Sequence, residues 1–437
     1  MNAGKQNGKK NSSTGGCMKE IFIKKLILEK VRNLDYTEIS LSENERKHLI
    51  FTGKNGSGKT TVLNGLSKML DRLACSNNPM EANKNLPIDY YSNLGFAEEQ
   101  NYSTRDIIKG MEKRIMSYQE QISEVKQSLK VDFNCSEDEF RLAFETGKFI
   151  LAYYKADRVF SADLPQHVEK VELKDTYSIQ ETPRKNFVKY LLDLKMTQAL
   201  AISGGKREKA AGIQEWFDNF EKLLQRIFEN EELHLEFDED TFKFHIEEPG
   251  KEQYDFNTLS SGYAAILDIV VDLIIRMEKH SRKKFRYDLP GIVLIDEIET
   301  HLHLELQRKI LDLLTTIFPK IQFIVTTHSP FVLNSLPDVV IYDLEKKILV
   351  KNGLSDVPYD GIVEGYFKAD MMSEELRTKF ERYKELTEKK NLTDDDYEEI
   401  TRLEMYLDEI PDYLALGITT EYQRQKLQFE EREDVDG

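Results

Sequence analysis

Gly53-Lys54-Asn55-Gly56-Ser57-Gly58-Lys59-Thr60 fits G-x-x-x-x-G-K-[ST] at every fixed position. Glycines at this spacing let successive backbone N–H groups converge on a phosphate, and a helix opening behind them adds its partial positive charge. Lys59 would reach β- and γ-phosphates, and Thr60 would offer its hydroxyl to Mg²⁺. Leu49-Ile50-Phe51 reads as a strand entering the loop, and Thr61 to Leu70 as the helix leaving it, which is the context the pattern requires. Gly53, Asn55, Gly56, Ser57, Gly58, Lys59, Thr60 and Thr61 are thus candidate contacts of a nucleoside triphosphate.

Gly291-Ile292-Val293-Leu294-Ile295-Asp296-Glu297 is a second constellation. A buried strand delivers two carboxylates at its C-terminal edge, where open α/β sheets bind ligands. Asp296 would hold Mg²⁺ through water, and Glu297 would polarise an attacking water as general base. Thr258-Leu259-Ser260-Ser261-Gly262 precedes an apolar helix, so Ser260, Ser261 and Gly262 form a small-residue helix start able to face an anion. Ile324-Val325-Thr326-Thr327-His328-Ser329-Pro330 ends a strand in a histidine, and His328 is placed to bond a γ-phosphate or the attacking water.

These groups need a sheet to hold them. Strand-like runs occupy 19–52, 149–154, 290–295, 321–327 and 338–343, with helical patterns at 261–280 and 303–317 between them. Strands alternating with helices predict parallel pairing through crossovers. Residues 234–246 alternate with period two around Glu239-Asp240, as a hairpin would. Helical patterns also cover Thr104 to Lys130 and Pro183 to Glu229, and charged helices lie between Ser373 and Gln428. The expected organisation is a disordered tail (1–18), an N-terminal lobe with the phosphate loop (19–75) and a helical insertion (76–147). The remainder of the first lobe with a second helical region (148–230) follows, then a C-terminal lobe (231–350) and an acidic helical appendage (351–437).

A net charge of −17 argues against a uniformly basic nucleic-acid surface. The acid is concentrated beyond Met371, with 20 acidic against 10 basic side chains, which leaves local clusters such as Arg282-Lys283-Lys284-Phe285-Arg286 able to touch phosphates. No apolar run approaches the ~18 residues of a membrane span. Cys17, Cys75 and Cys135 lack metal or disulfide spacing, so a reducing, cytoplasmic setting is expected. His301 and His303 are two apart and cannot share a helix face, so they are not read as a metal pair.

Taken together, Gly53–Thr60, Leu259–Gly262, Leu294–Glu297 and Thr327-His328-Ser329-Pro330 resemble the phosphate loop, signature, Walker B and switch histidine of the SMC/RecF-like branch of ABC-type ATPases. Asp296-Glu297-Ile298-Glu299-Thr300-His301-Leu302-His303 is similar to the run in the ATPase half of OLD-family nucleases and in the ATPase subunits of Septu-type and retron-linked antiphage systems. The resemblance covers about 19–75 and 230–345. It implies an α/β ABC-type head interrupted by helical insertions, with ATP and Mg²⁺ bound and ATP hydrolysed. It also implies a homo-oligomer built on a head-to-tail dimer, in which Ser260 and Gly262 complete the site of the opposite subunit. A separately encoded nuclease or other effector would be the partner, since the charged tail is unlike a nuclease domain. A RecF-like DNA-repair ATPase and a non-catalytic ATP switch are the competing roles. No glutamine matches the loop that usually couples nucleotide to the second lobe; Asp157-Arg158 falls in that neighbourhood.

Overall fold

The structure, a computed structural model, describes residues 20–29, 36–74, 129–158, 160–163, 165, 167–281, 285, 287–358, 361–362, 374–408 and 416–431. The expected tail, most of the Thr104–Lys130 helix, Cys17, Cys75 and all of the 282–286 cluster except Phe285 lie outside them. The chain divides into two units, Met1–Val357 and Pro358–Gly437.

In the first unit a six-stranded sheet carries the chemistry. Its order is β11 (Ile348–Val350), β10 (Val339–Asp343), β3 (His48–Thr52), β9 (Ile321–Thr326), β8 (Gly291–Ile295), β5 (Ile150–Tyr154). Five strands run parallel and only the edge strand β11 is antiparallel. Every residue of β5, β8, β9 and β10 is buried, so these segments read as continuous apolar runs rather than alternating ones. Because β9 lies between β3 and β8, the ends of all three open onto the same sheet edge. Gly53, Asp296 and Thr327 follow those strands directly.

A second sheet, β2 (Thr37–Ser40), β1 (Ile23–Leu28) and β4 (Leu129–Phe133), is antiparallel. Residues 129–133 lie inside the helical insertion expected over 76–147, at the end of the pattern that runs to Lys130; Leu129–Phe133 forms a strand and pairs with β1. Gln322, fully buried in β9, joins the two sheets: its Oε1 accepts from Ile23 N–H at 2.8 Å, and its Nε2 donates to Ile23 O at 3.0 Å and Lys47 O at 2.8 Å.

The helices are α1 (Lys59–Ala74), α2 (Glu137–Glu145), α3 (Phe187–Ser203), α4 (Arg207–Phe228), α5 (Ser261–Ser281), α6 (Leu304–Ile317) and the single turn α7 (Pro330–Leu333). Helix α2 opens with a reciprocal Ser136/Glu139 cap. Helix α5 is buried from Ala265 to Glu278, with the charged Asp268, Asp272, Arg276 and Glu278 buried among its apolar residues. A two-stranded hairpin, β6 (His234–Asp238) with β7 (Lys243–Glu247), turns around Glu239-Asp240. The first unit is therefore an α/β fold built on a mostly parallel sheet.

The second unit contains α8 (Glu374–Glu388), α9 (Asp394–Asp408) and α10 (Leu416–Glu430). Phe380, Tyr383, Leu386, Ile400, Leu407, Tyr422 and Phe429 form its own core. Thr393 and Asp396 cap α9 reciprocally, with Asp396 Oδ2 accepting from Thr393 N–H at 2.8 Å and Asp396 N–H donating to Thr393 Oγ1 at 3.3 Å.

Candidate functional site

Gly53, Gly56 and Gly58 have φ of 128°, 83° and 101°, conformations that only glycine adopts without strain. They carry the chain from β3 into α1, whose first residue is Lys59. A Cβ at Gly53 would sit 3.2 Å from Glu345 N and 3.3 Å from Asp343 Oδ1, so the loop is backed by the β10–β11 turn. Lys54 fastens it there, its N–H donating to Glu345 Oε2 at 3.3 Å and its Nζ lying 3.1 Å from Oε1. Lys59 is buried, and its Nζ donates to Gly53 O at 2.8 Å and Lys54 O at 3.1 Å. Burial lowers the Lys59 pKa, while the Glu297, Glu299, Asp296 and Asp343 carboxylates oppose that effect. Four carboxylates thus act on the ammonium through space, while its bonds go to the loop carbonyls.

At the end of β8, Asp296 is buried and its Oδ1 accepts from Thr326 Oγ1 at 2.6 Å. The same Thr326 oxygen accepts from Glu297 N–H at 2.7 Å. Glu297 is half-buried with φ of 45°, an uncommon conformation for a residue with a side chain, and such residues cluster at working sites. Arg158 holds the strained turn from below. Its guanidinium donates to the carbonyls of Asp296 (3.0 Å), Glu297 (3.3 Å) and Ile298 (2.8 Å). Burial depresses the Arg158 pKa, opposed first by Asp268 of α5. The structure thus places Arg158 under the carboxylate turn.

His328 follows β9 and is half-buried. Its N–H donates to Glu299 Oε1 at 2.5 Å. Burial first, and the Lys59 charge second, push its imidazole pKa below the ordinary value. Ser329 caps α7 and donates from Oγ to Gln307 Oε1 at 2.6 Å, and Gln307 Nε2 returns to Leu302 O at 2.8 Å. Sequence reasoning missed Thr326, Glu299 and Gln307. A polar residue closing an apolar strand was the available signal for Thr326.

The structure brings Lys59, Asp296, Glu297 and His328 into one electrostatic cluster. The small-residue helix start packs on the run that follows β8: the atoms nearest a Cβ at Gly262 would be His301 O (3.2 Å), Leu306 Cδ1 (3.5 Å) and His303 Cδ2 (3.8 Å). Tyr263, next in the chain, stacks on Phe228 of α4 with centroids 4.2 Å apart, which steadies that end of α5.

Residues 178–334 match the family described as "AAA domain, putative AbiEii toxin, Type IV TA system". The chain is 27% identical over 421 residues to the Septu protein PtuA of Bacillus mycoides (strain KBAB4), covering 93% of this chain and 53% of that protein. It is 26% identical over 376 residues to the Retron Vc95 probable ATPase of Vibrio cholerae serotype O1 biovar El Tor, covering 71% and 72% respectively. Among solved structures, the SMC head bound to the C-winged helix domain of ScpA aligns over 77% of this chain and 100% of its own, at 14% identity and a TM-score of 0.37. The chain spans about half the length of the PtuA relative, 53%. The chain is thus similar in sequence to Septu and retron proteins and, over residues 178–334, to the AAA family named above.

Proposed function

We propose that the protein hydrolyses ATP with Mg²⁺, and that ATP joins two copies head-to-tail to control a separate effector, a nuclease or another toxic protein, in antiphage defence. The observation that carries this reading is the electrostatic coupling of Lys59, Asp296, Glu297 and His328 at one sheet edge, with a separate small-residue helix start at Ser261-Gly262 in the same chain. One polypeptide then holds both halves of a shared site. Similarity to Septu and retron proteins supports the biological setting.

The donors suit Mg²⁺. Thr60 supplies an exposed hydroxyl, and Asp296 commits Oδ1 to Thr326, leaving Oδ2 for a metal-bound water. Among the described residues no three His, Cys, Asp or Glu side chains cluster as a metal cage, which suits an ion that keeps its waters and takes substrate phosphates as ligands. Thr60 and Asp296 would hold the ion, which would supply charge neutralisation at the phosphates. Asn55, Ser57 and Thr61 flank the glycines that turn backbone N–H groups onto the phosphates. Lys59 neutralises the phosphate, Glu297 takes a proton from the attacking water, and neutral His328 holds the water or the γ-phosphate. Ser260, Ser261 and Gly262 of one copy close over the nucleotide of the other, so cleavage of the bridging phosphate loosens the pair.

The test is light scattering of Glu297→Gln with ATP and Mg²⁺. A doubling of mass that wild type does not retain supports the reading, and an unchanged mass for both proteins counts against it.

A further inference from the structure

We propose that Glu299 is a positioning residue for hydrolysis, fixing the His328 backbone so that its ring stays among Lys59, Asp296 and Glu297. The inference rests on the ATPase reading above and assigns a task to a residue that reading leaves idle.

Three neighbouring residues of the segment after β9 are each held by a different part of the site. Thr327 N–H donates to Phe51 O of the strand feeding the phosphate loop, at 3.0 Å. Ser329 is held by Gln307 of α6. His328, between them, gives its N–H to the Glu299 carboxylate at 2.5 Å. Glu299 sits two residues past Glu297 on the turn that Thr326 and Arg158 already fasten. The bond therefore joins the carbonyl-anchored turn carrying the base to the loop carrying the histidine, across 29 positions of chain. An ionised acceptor makes such a bond short and strong.

Glu299 is not spent on stability alone. Its Oε2 is buried with no hydrogen-bond partner among the described residues. Structural carboxylates in protein interiors are normally satisfied at both oxygens, so the unpaired one marks a group kept for another reason. Its charge also acts on Lys59, Arg158 and His328. The acid thus stands inside the working cluster while touching the histidine through the main chain.

The experiment is steady-state ATPase kinetics on wild type, Glu299→Ala, Glu299→Gln, His328→Ala and the double variant Glu299→Ala/His328→Ala. Loss of the tether should lower kcat about 10²-fold in Glu299→Ala with KM changed less than about twofold. Glu299→Gln keeps an acceptor for the His328 N–H and should recover to within roughly fivefold of wild type. The double variant should be as slow as His328→Ala alone. If Glu299→Ala does not fold, Glu299→Met, which keeps the stem and removes the acceptor, replaces it. Glutamine as slow as alanine, or an undiminished Glu299→Ala effect without the His328 ring, overturns the proposal. So does a Glu299→Ala enzyme with wild-type kcat. A wild-type protein that hydrolyses no ATP removes the function reading and this inference together, whereas active wild type with an indifferent Glu299→Ala removes this inference alone.

Discussion

Thr326 donates its hydroxyl proton to Asp296 Oδ1 across 2.6 Å, and the same oxygen receives the Glu297 N–H at 2.7 Å. One side chain of β9 thereby orients the carboxylate proposed for Mg²⁺ and the backbone of the proposed base.

Thr326→Val keeps the shape and strand preference but deletes both bonds. Leaving the buried Asp296 oxygen and Glu297 N–H unpaired should cost about 1–3 kcal/mol of stability. The kcat should drop roughly 10- to 100-fold, since small displacements of a base are expensive. Denaturant unfolding and ATPase kinetics check the two effects separately.

Glu297→Gln should bind ATP as wild type does and lose about 10²- to 10⁴-fold in kcat, the range for a general base. Lys59→Ala should lose nucleotide affinity itself. Fluorescent-nucleotide titration beside phosphate release distinguishes them; a Glu297→Gln variant hydrolysing at the wild-type rate refutes the base assignment.

Arg158→Met should destabilise the first unit by about 3–5 kcal/mol, because it strips donors from three carbonyls, those of Asp296 and Ile298 in buried bonds and that of Glu297 in a part-buried one. Arg158→Lys should rescue little, since an ammonium cannot match the planar fork. Thermal unfolding is the measurement.

His328 is held below the usual histidine pKa by burial and by Lys59. It should be neutral at pH 7, and its NMR titration midpoint should fall under ~6.5. Lys59→Met, by removing the second cause, should move that midpoint upward. The sign for stability follows: the unfolded chain binds the proton more readily, so this contribution is present above ~6.5 and is lost as pH falls through the folded value.

Much of the sheet was readable because its signals are local. The run into Gly53, the Ile292–Ile295 strand and the strand before His328 each announce themselves within a few residues of apolar sequence. The fastenings were not readable. Glu299 and His328 are 29 residues apart, Gln307 and Ser329 are 22, and Gln322 meets Ile23 across 299. Gln322 looks like an interruption of an apolar strand until the second sheet is present to receive it. Strand β4 was hidden for the same reason: its partner, β1, precedes it by about a hundred residues, and pairing rather than propensity decides such segments.

The seat of Gly262 has a mechanical consequence. With His301 O lying 3.2 Å from where a side chain would begin, the outer tip of α5 rests directly on the run that starts at Glu297. Whatever docks there would therefore meet the segment that also carries the proposed base.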